Sequence, residues 1–278
     1  MAMNETASTA TRPQPWRLVY RLPLLLLHLL LLPPALLVYL PAVRRQSTQR
    51  AGEGDDDRIG WRPSGWTQTL HQWWTRRLLK VMGLHLSLQG QLPSGAVLVA
   101  ANHISWLDII ALHALRPMWL VSKAEVRRWP LIGRLAEAVG TLFIQRGDSH
   151  SRAKVARRMA ALLRQGHTVG FFPEAGIVGG PGVGRFHARL FGPAIRAAVP
   201  VVPVTIRYHE RGRQPRQDLH AQIVFGPGSH FFGNLLRVMM HPAIDVELII
   251  CSALPPPHAG RDTLSARARE LVRLACER

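Results

Sequence analysis

From about residue 84 onward, short apolar runs alternate with longer stretches of helical periodicity. The β-prone runs are 96–101 (AVLVAA), 118–122 (MWLVS), 141–144 (TLFI), 168–172 (TVGFF), 201–206 (VVPVTI), 221–225 (AQIVF) and 244–250 (IDVELII). Helices are predicted between several of them, over 106–115, 130–138, 149–165 and 187–198, with a last one over 262–277. Strand and helix in alternation predict an α/β fold, a largely parallel sheet flanked by helices. Pro200 and Pro203 predict that the 201–206 run is an irregular or edge strand. Pro255-Pro256-Pro257 separates the last strand from the final helix.

The N-terminal pattern is different. Residues 22–43, LPLLLLHLLLLPPALLVYLPAV, contain no formally charged side chain. An unbroken helix of that length would reach about 33 Å, enough to cross a bilayer. Pro33-Pro34 lies in its middle and would kink or break such a helix. One span and a re-entrant pair of short helices both satisfy the pattern. Arg12, Arg17 and Arg21 precede the segment, and Arg44, Arg45 and Arg50 follow it. Positive charge on both flanks fits a hairpin with both ends on the cytoplasmic face. No clear small-residue cleavage site follows, which weighs against a cleaved signal peptide. Leucine continues all round the helix, which weighs against a core helix with a polar face.

A second helix is predicted over 66–83. Its Trp66, Leu70, Trp73, Trp74, Leu78 and Val81 share helical spacing, with Arg76, Arg77 and Lys80 among them. A basic helix with tryptophans on its apolar side suits a membrane interface, and it equally suits packing on the domain. AGEGDDDRIG, between the two, is polar. The expected organisation is a membrane-anchoring segment over 1–50, a polar linker over 51–65 and an α/β domain over 66–278.

Composition sharpens this picture. The chain has 278 residues, 47% of them apolar, which is enough for one sizeable α/β domain and an extra segment. Its formal net charge is +18, and only Lys80, Lys123 and Lys154 among its 35 basic residues are lysine. Such an excess points to an anionic partner: nucleic acid, an anionic bilayer surface or a phosphorylated substrate. Arginine suits all three through its planar fork, although a GC-rich coding bias also raises arginine. Cys251 and Cys276 form neither a zinc cluster nor a disulfide framework, so a reducing compartment is expected.

The chemistry concentrates in NHISWLD, residues 102–108, directly after AVLVAA. Ser105 suits the N-cap of the next helix, which places Asp108 at the capping-box position. His103 precedes the cap, at the strand-to-helix turn. On a continuous helix, side chains five residues apart diverge, so His103 and Asp108 can meet only across a turn. Ligands of open parallel sheets bind at the C-terminal ends of strands. A neutral histidine there, its other nitrogen held by a carboxylate, is a ready general base for a hydroxyl. No serine lies in a G-x-S-x-G elbow to carry an acyl-enzyme. The pair offers too few ligands for zinc. GTLFIQRGD puts Arg146 just past a strand end, where its fork could clamp phosphate. Glu174 stands at another strand end, before a glycine-rich loop of 176–184 that could approach an anion. That loop lacks the Lys-Ser/Thr ending of a P-loop.

Taken in order, these stretches resemble the glycerolipid acyltransferase family, which includes the 1-acyl-glycerol-3-phosphate acyltransferases. Asn102, His103 and Asp108 match its Asn-His-x4-Asp block. Gly140, Phe143, Ile144 and Arg146 match its Gly-x-hydrophobic-Phe-Ile-x-Arg block. Phe172, Pro173 and Glu174 match the start of Phe-Pro-Glu-Gly-Thr, and Val199, Pro200 and Pro203 match its Val-Pro-hydrophobic-x-Pro run. VSKAEVRRWPLIG, with Lys123, is similar to the segment between the first two blocks. The resemblance covers roughly 80–250.

The resemblance implies an acyltransferase domain with a metal-free and cofactor-free reaction. His103 would take the proton of a lyso-lipid hydroxyl, and Asp108 would orient its imidazole. The hydroxyl would attack the thioester of acyl-CoA or acyl-carrier protein. Arg146 would bind the acceptor phosphate, with Lys123, Glu174, Gly176 and Arg185 on the substrate side. The implied acceptor is 1-acyl-glycerol-3-phosphate, giving phosphatidic acid. The implied setting is the cytoplasmic face of a bacterial inner membrane, on an anionic lipid surface and without nucleic acid. The chain departs from the third block at Ala175-Gly176, where the family has Gly-Thr. Alanine tolerates positive φ poorly, and Gly176 is expected to supply the freedom one residue later. This puts the acceptor in question, and a lyso-ornithine lipid is the alternative. A basic membrane-tethered binding protein would fit the charge, but not the His103–Asp108 pair together with Arg146 and Glu174 at strand ends.

Overall fold

The computed structural model describes residues 13–50, 61, 63–129, 132–145, 147–177, 182–211, 223–225 and 228–277, with backbone alone at 33–34 and 44–50. In chain order the elements are α1 (Leu18–Leu30), α2 (Leu32–Arg50), α3 (Trp66–Val81), β1 (Leu84–Gln89), β2 (Leu98–Ala101), α4 (Leu107–Leu115), β3 (Trp119–Lys123) and α5 (Ile132–Ala138). They continue with β4 (Thr141–Ile144), α6 (Ser149–Arg164), β5 (Val169–Phe171), α7 (Gly192–Ala197), β6 (Val201–Glu210), α8 (Phe231–Met240), β7 (Ile244–Ile250) and α9 (Arg261–Cys276).

The strands form one seven-stranded sheet in the order β1-β7-β6-β2-β5-β3-β4. Strands β6, β2, β5, β3 and β4 run parallel. Strand β7 is antiparallel to β6, and β1 is parallel to β7. The apolar strands β2 and β5 and residues 201–206 of β6 are buried on both faces, as a covered parallel sheet requires. Along β2, Val99 and Ala101 face one core with Leu107 and Leu112 of α4, whereas Leu98 and Ala100 face a second core with Met159 and Leu162 of α6. Alternation of side chains along a strand creates these two layers. Each large aliphatic chain fully buried there contributes about 1.5–3 kcal/mol.

The predicted α/β architecture is therefore present, and three details differ. Strand β1 and helix α8 escape the apolar-run reading: β1 alternates as LHLSLQ at a sheet edge, and α8 follows the sequence GPGSH. The 221–225 run contributes no strand at Ile223–Phe225, while 221–222 lie outside the described residues. There Phe225 N donates to Ile104 O, so the run packs on the turn after β2 rather than entering the sheet. Finally, β6 is neither irregular nor an edge strand. It lies inside the sheet, with Pro203 opposite Ala100 of β2. The Pro203 carbonyl accepts from Cys251 N, just beyond the β7 ladder. Both backbone groups of a strand residue point to one side, so the donor that proline lacks faces that ladder end and not β2.

At the N-terminus the two helices meet at Leu31, before the proline pair and not at it. Pro33 and Pro34 then fall in the first turn of α2, where a missing N–H costs no helical bond. Among the described residues no single helix is long and apolar enough to cross a membrane. The stretches Pro15–Leu30 and Ala35–Val43 meet that test together, bent by 48°. Arg21 is not a flanking charge as the sequence implies. It is buried, with Nη1 donating to Met239 O and His241 O, both at 2.7 Å, and Nη2 to Pro242 O at 2.8 Å. Its guanidinium thus satisfies carbonyls at the end of α8.

Helix α3 packs on α4, where Gln72 Nε2 donates to Leu115 O at 2.6 Å and Arg76 Nε to Ala114 O at 3.1 Å; it buries Thr67, His71 and Leu79 and leaves Trp66 and Trp73 exposed. Two histidines that look unremarkable in the sequence pair here. Tyr39 Oη lies 3.1 Å from His71 Nδ1, and His71 Nε2 lies 3.2 Å from His113 Nδ1. Burial pushes His71 down to about 4. Burial, and then His71, lower His113 well below its ordinary value. Both rings are neutral in the folded protein, whereas the unfolded chain binds their protons below about pH 6.5. Folded stability therefore falls as pH drops from about 6.5 toward 4. Thermal unfolding across that range should show a smaller loss for His71→Gln than for the parent; an identical pH slope would remove His71 from the account.

Candidate active site

Strand β2 ends at Ala101, and Asn102 extends its hold on β6. The buried Asn102 amide donates to Ile206 O at 3.0 Å and accepts from Ile206 N at 2.7 Å. A side chain here supplies the two bonds that another strand residue would make. The chain then turns through His103–Trp106 into α4. This turn brings together the histidine and aspartate that a continuous helix would separate.

Asp108 is 0% exposed. Its Oδ2 accepts from Ile104 N at 2.7 Å, Ser105 N at 2.9 Å and His103 Nδ1 at 2.9 Å. Its Oδ1 accepts from Tyr208 Oη at 2.6 Å. Asp108 thus supplies its half of the expected capping box by accepting from Ser105 N. Ser105 does not supply the other half: its hydroxyl is buried without a hydrogen-bond partner among the described residues, and the helix begins at Leu107. Tyr208 is held well above its ordinary value by burial and then by Asp108, so it remains a donor.

The carboxylate places the proton of neutral His103 on Nδ1, which leaves the lone pair on Nε2. The imidazole is 18% exposed and stacks on Phe172 with ring centroids 3.9 Å apart. A rigidly held ring with one free, basic nitrogen at a strand end can accept a proton from a bound hydroxyl. Among the described residues no group of His, Cys, Asp or Glu is clustered as a metal site.

Glu174 follows β5 and ties the site to the loop. Its Oε2 accepts from His103 N at 2.8 Å, and its Oε1 from Gly184 N at 2.7 Å. Burial raises its pKa, and the two backbone donors oppose that rise. Glu174 is thus bonded to the turn that carries His103. The next residue corrects an expectation. The left-handed conformation falls on Ala175 itself, at φ 57°, and Gly176 is not at positive φ. The position where the family pattern has glycine keeps that backbone shape here with a Cβ, at a cost of about 1–2 kcal/mol.

Of the remaining candidates, Lys123 stands at the same sheet edge. Lys123 ends β3, is exposed and pairs in register with Ile144, the last residue of β4. Gly176 is partly buried next to Ala175, and Arg185 is exposed beside Gly184. Arg146, two residues after β4, lies outside the described residues. Strands β2, β5, β3 and β4 are consecutive neighbours, so the C-terminal ends that carry His103, Glu174 and Lys123 form one rim. Tyr208 and the Asn102–Ile206 bond escape sequence reasoning. The only signal for Tyr208 is alternation along VTIRYHE, which sets it on the face of Val204 and Ile206.

A profile of the acyltransferase family matches residues 84–207. The chain is 37% identical over 208 residues to a lyso-ornithine lipid O-acyltransferase of Pseudomonas aeruginosa, covering 75% of this chain and 78% of that protein. It is 39% identical over 132 residues to a 1-acyl-sn-glycerol-3-phosphate acyltransferase of Neisseria gonorrhoeae, covering 47% of this chain and 51% of that one. The crystal structure of the 1-acyl-sn-glycerophosphate acyltransferase of Thermotoga maritima shares the fold, with a TM-score of 0.59 at 19% identity over 94% of this chain and 96% of that one.

Two substitutions test the geometry. Tyr208→Phe leaves Asp108 Oδ1 one donor short inside the protein and should destabilise by about 1–3 kcal/mol. Denaturant titration reads this, and an unchanged midpoint would deny the bond. Ala175→Gly removes the left-handed penalty and should raise the melting temperature by a few degrees; a lower one would mean that Ala175 is unstrained.

Proposed function

The chain belongs to the acyltransferase family, and from that premise we propose that it transfers a fatty acyl group from acyl-CoA or acyl-carrier protein to the free hydroxyl of a lyso-lipid. One observation carries the reading: Asp108 holds the Nδ1 side of His103 and leaves Nε2 free at the sheet rim. In the proposed step Nε2 takes the hydroxyl proton as the oxygen attacks the thioester carbonyl carbon. The tetrahedral adduct expels the thiolate, which recovers the proton from the imidazolium. The products are an ester and a free thiol. Asp108 stabilises the imidazolium between the two transfers.

Lyso-ornithine lipid is the acceptor favoured by the Pseudomonas relative, which matches 75% of this chain. The Ala175-Gly176 departure in the third block points the same way, because it alters the loop beside the rim. The second acceptor is 1-acyl-glycerol-3-phosphate, supported by the Neisseria relative. Arg146, with Lys123 and Arg185 near the rim, suits either, since an arginine fork pairs with the carboxylate of an amino acid as with phosphate. Gly176 and Glu174 shape the loop on that side. The bent α1–α2 pair docks the enzyme on the cytoplasmic face of a bacterial inner membrane, where lipid acceptor and soluble donor meet.

Purified protein in detergent, offered labelled acyl-CoA or acyl-carrier protein with a panel of lyso-lipids, tests this directly. His103→Ala should lower kcat by about 10²–10⁴-fold with the fold intact. Arg146→Ala should chiefly raise the acceptor KM. Transfer to lysophosphatidate alone would reverse the order of acceptors. No transfer to any acceptor from either donor would sink the enzymatic reading in favour of a binding protein.

A further inference from the structure

Helix α8 carries the sequence FFGNLLRVMM and turns Asn234, Val238 and Met239 inward. Phe232 and Leu236, one turn apart, face outward at 76% and 37% exposure. Scattered apolar side chains on a surface need no explanation. These two are not scattered, because α8 packs directly on α1 and on the turn before it. Gln14 N donates to Met240 O at 2.8 Å, and Arg21 binds the carbonyls of Met239, His241 and Pro242. The neighbouring outward surface of α1 is itself apolar, with Val19, Leu26 and Leu30 exposed beside Trp16 and Tyr20. The two helices therefore form adjoining parts of one apolar surface.

Charge indicates what covers it. Neither helix contains an acidic residue, and Arg237 lies beside Leu236 on α8. Apolar residues with aromatic neighbours and basic flanks fit an anionic lipid surface better than a protein groove. The inward side of α8 adds a reason for the helix to be there. Asn234 Oδ1 accepts from Trp106 Nε1 at 2.9 Å, within the turn that carries His103. Phe231 packs against Trp106 and Trp129, at 4.9 and 5.6 Å between ring centroids.

We propose that α8 is a lipid-docking helix, lying on the bilayer beside α1 with Phe232 and Leu236 at the headgroup–acyl boundary. The catalytic turn is then attached to an element that rests on the leaflet holding the acceptor. The inference builds on the membrane reading above and adds a contact outside the N-terminal segment.

The test places an environment-sensitive fluorophore at Phe232→Cys in the full chain carrying Cys251→Ala and Cys276→Ala. Leu26→Cys marks α1, and Lys154→Cys on α6 marks the opposite layer. Each is mixed with phosphatidylethanolamine–phosphatidylglycerol vesicles, with and without bromine on the acyl chains. The proposal expects a blue shift and bromine quenching at positions 26 and 232, and neither at 154. Quenching at 26 without 232 overturns it and leaves the membrane reading standing. Quenching at neither removes both. Quenching at all three means adsorption without a preferred face and also overturns the proposal. A circular dichroism spectrum matching the parent confirms that each labelled chain is folded.

Discussion

Asp108 holds a carboxylate away from water at the start of a helix, and such a group persists only where donors converge on it. Its donors come from two parts of the fold: the turn after β2 gives two backbone N–H groups and the His103 ring, and β6 gives Tyr208. The same convergence orients the imidazole. Much of the local architecture follows from making it possible. β6 must reach past the end of β2 for Tyr208 to stand over Asp108, and the Asn102–Ile206 pair sets that reach. The ten-residue length of β6 has the same origin: its first half pairs with β2, and its second half pairs with β7. The start of α4 adds its own favourable field, since exposed N–H groups at a helix N-terminus attract negative charge.

Glu174 plays a different part from Asp108 although both are carboxylates. Asp108 touches the His103 ring; Glu174 touches only backbone, at His103 and Gly184. Two strand ends and the exit of the glycine-rich loop are thereby tied together across β2 and β5. Burial alone would favour the neutral acid at Glu174, and the two donors work against that. The strain at Ala175 is local to this tie: the chain must reverse within a residue of Glu174 to leave the rim.

The sequence made legible what depends on local pattern. β4 and β7 have the boundaries of their apolar runs, and NHISWLD disclosed the His103–Asp108 contact with the turn it requires. It concealed what depends on distant partners. Periodicity reports that a residue is buried, not what it touches. Tyr208 therefore read as one more core position, though its hydroxyl meets a carboxylate 100 residues away. Arg21 read as a topological charge because nothing nearby answers it; its partners lie 218 or more positions further on. His71 and His113 sit on different helices, and no spacing rule relates them. Pro203 misled for the converse reason: proline is a poor strand residue only where its absent N–H would have been used.

The contacts that sequence reading missed also join the leucine-rich N-terminus to the polar rim. Arg21 binds the end of α8, Asn234 of α8 binds Trp106, and Trp106 stands two residues before Asp108. Leu25 of α1 is buried in the same core as Val99 and Ala101 of β2. α1, α3, α4 and α8 thus cover one face of the sheet, while α6 and α9 cover the other. A guanidinium is well suited to this junction: it bonds several carbonyls at once and remains charged at any physiological pH. A leucine at position 21 would serve an apolar anchor better in isolation. The arginine is explained by what it must join: an apolar helix to a helix end whose carbonyls would otherwise be buried without donors.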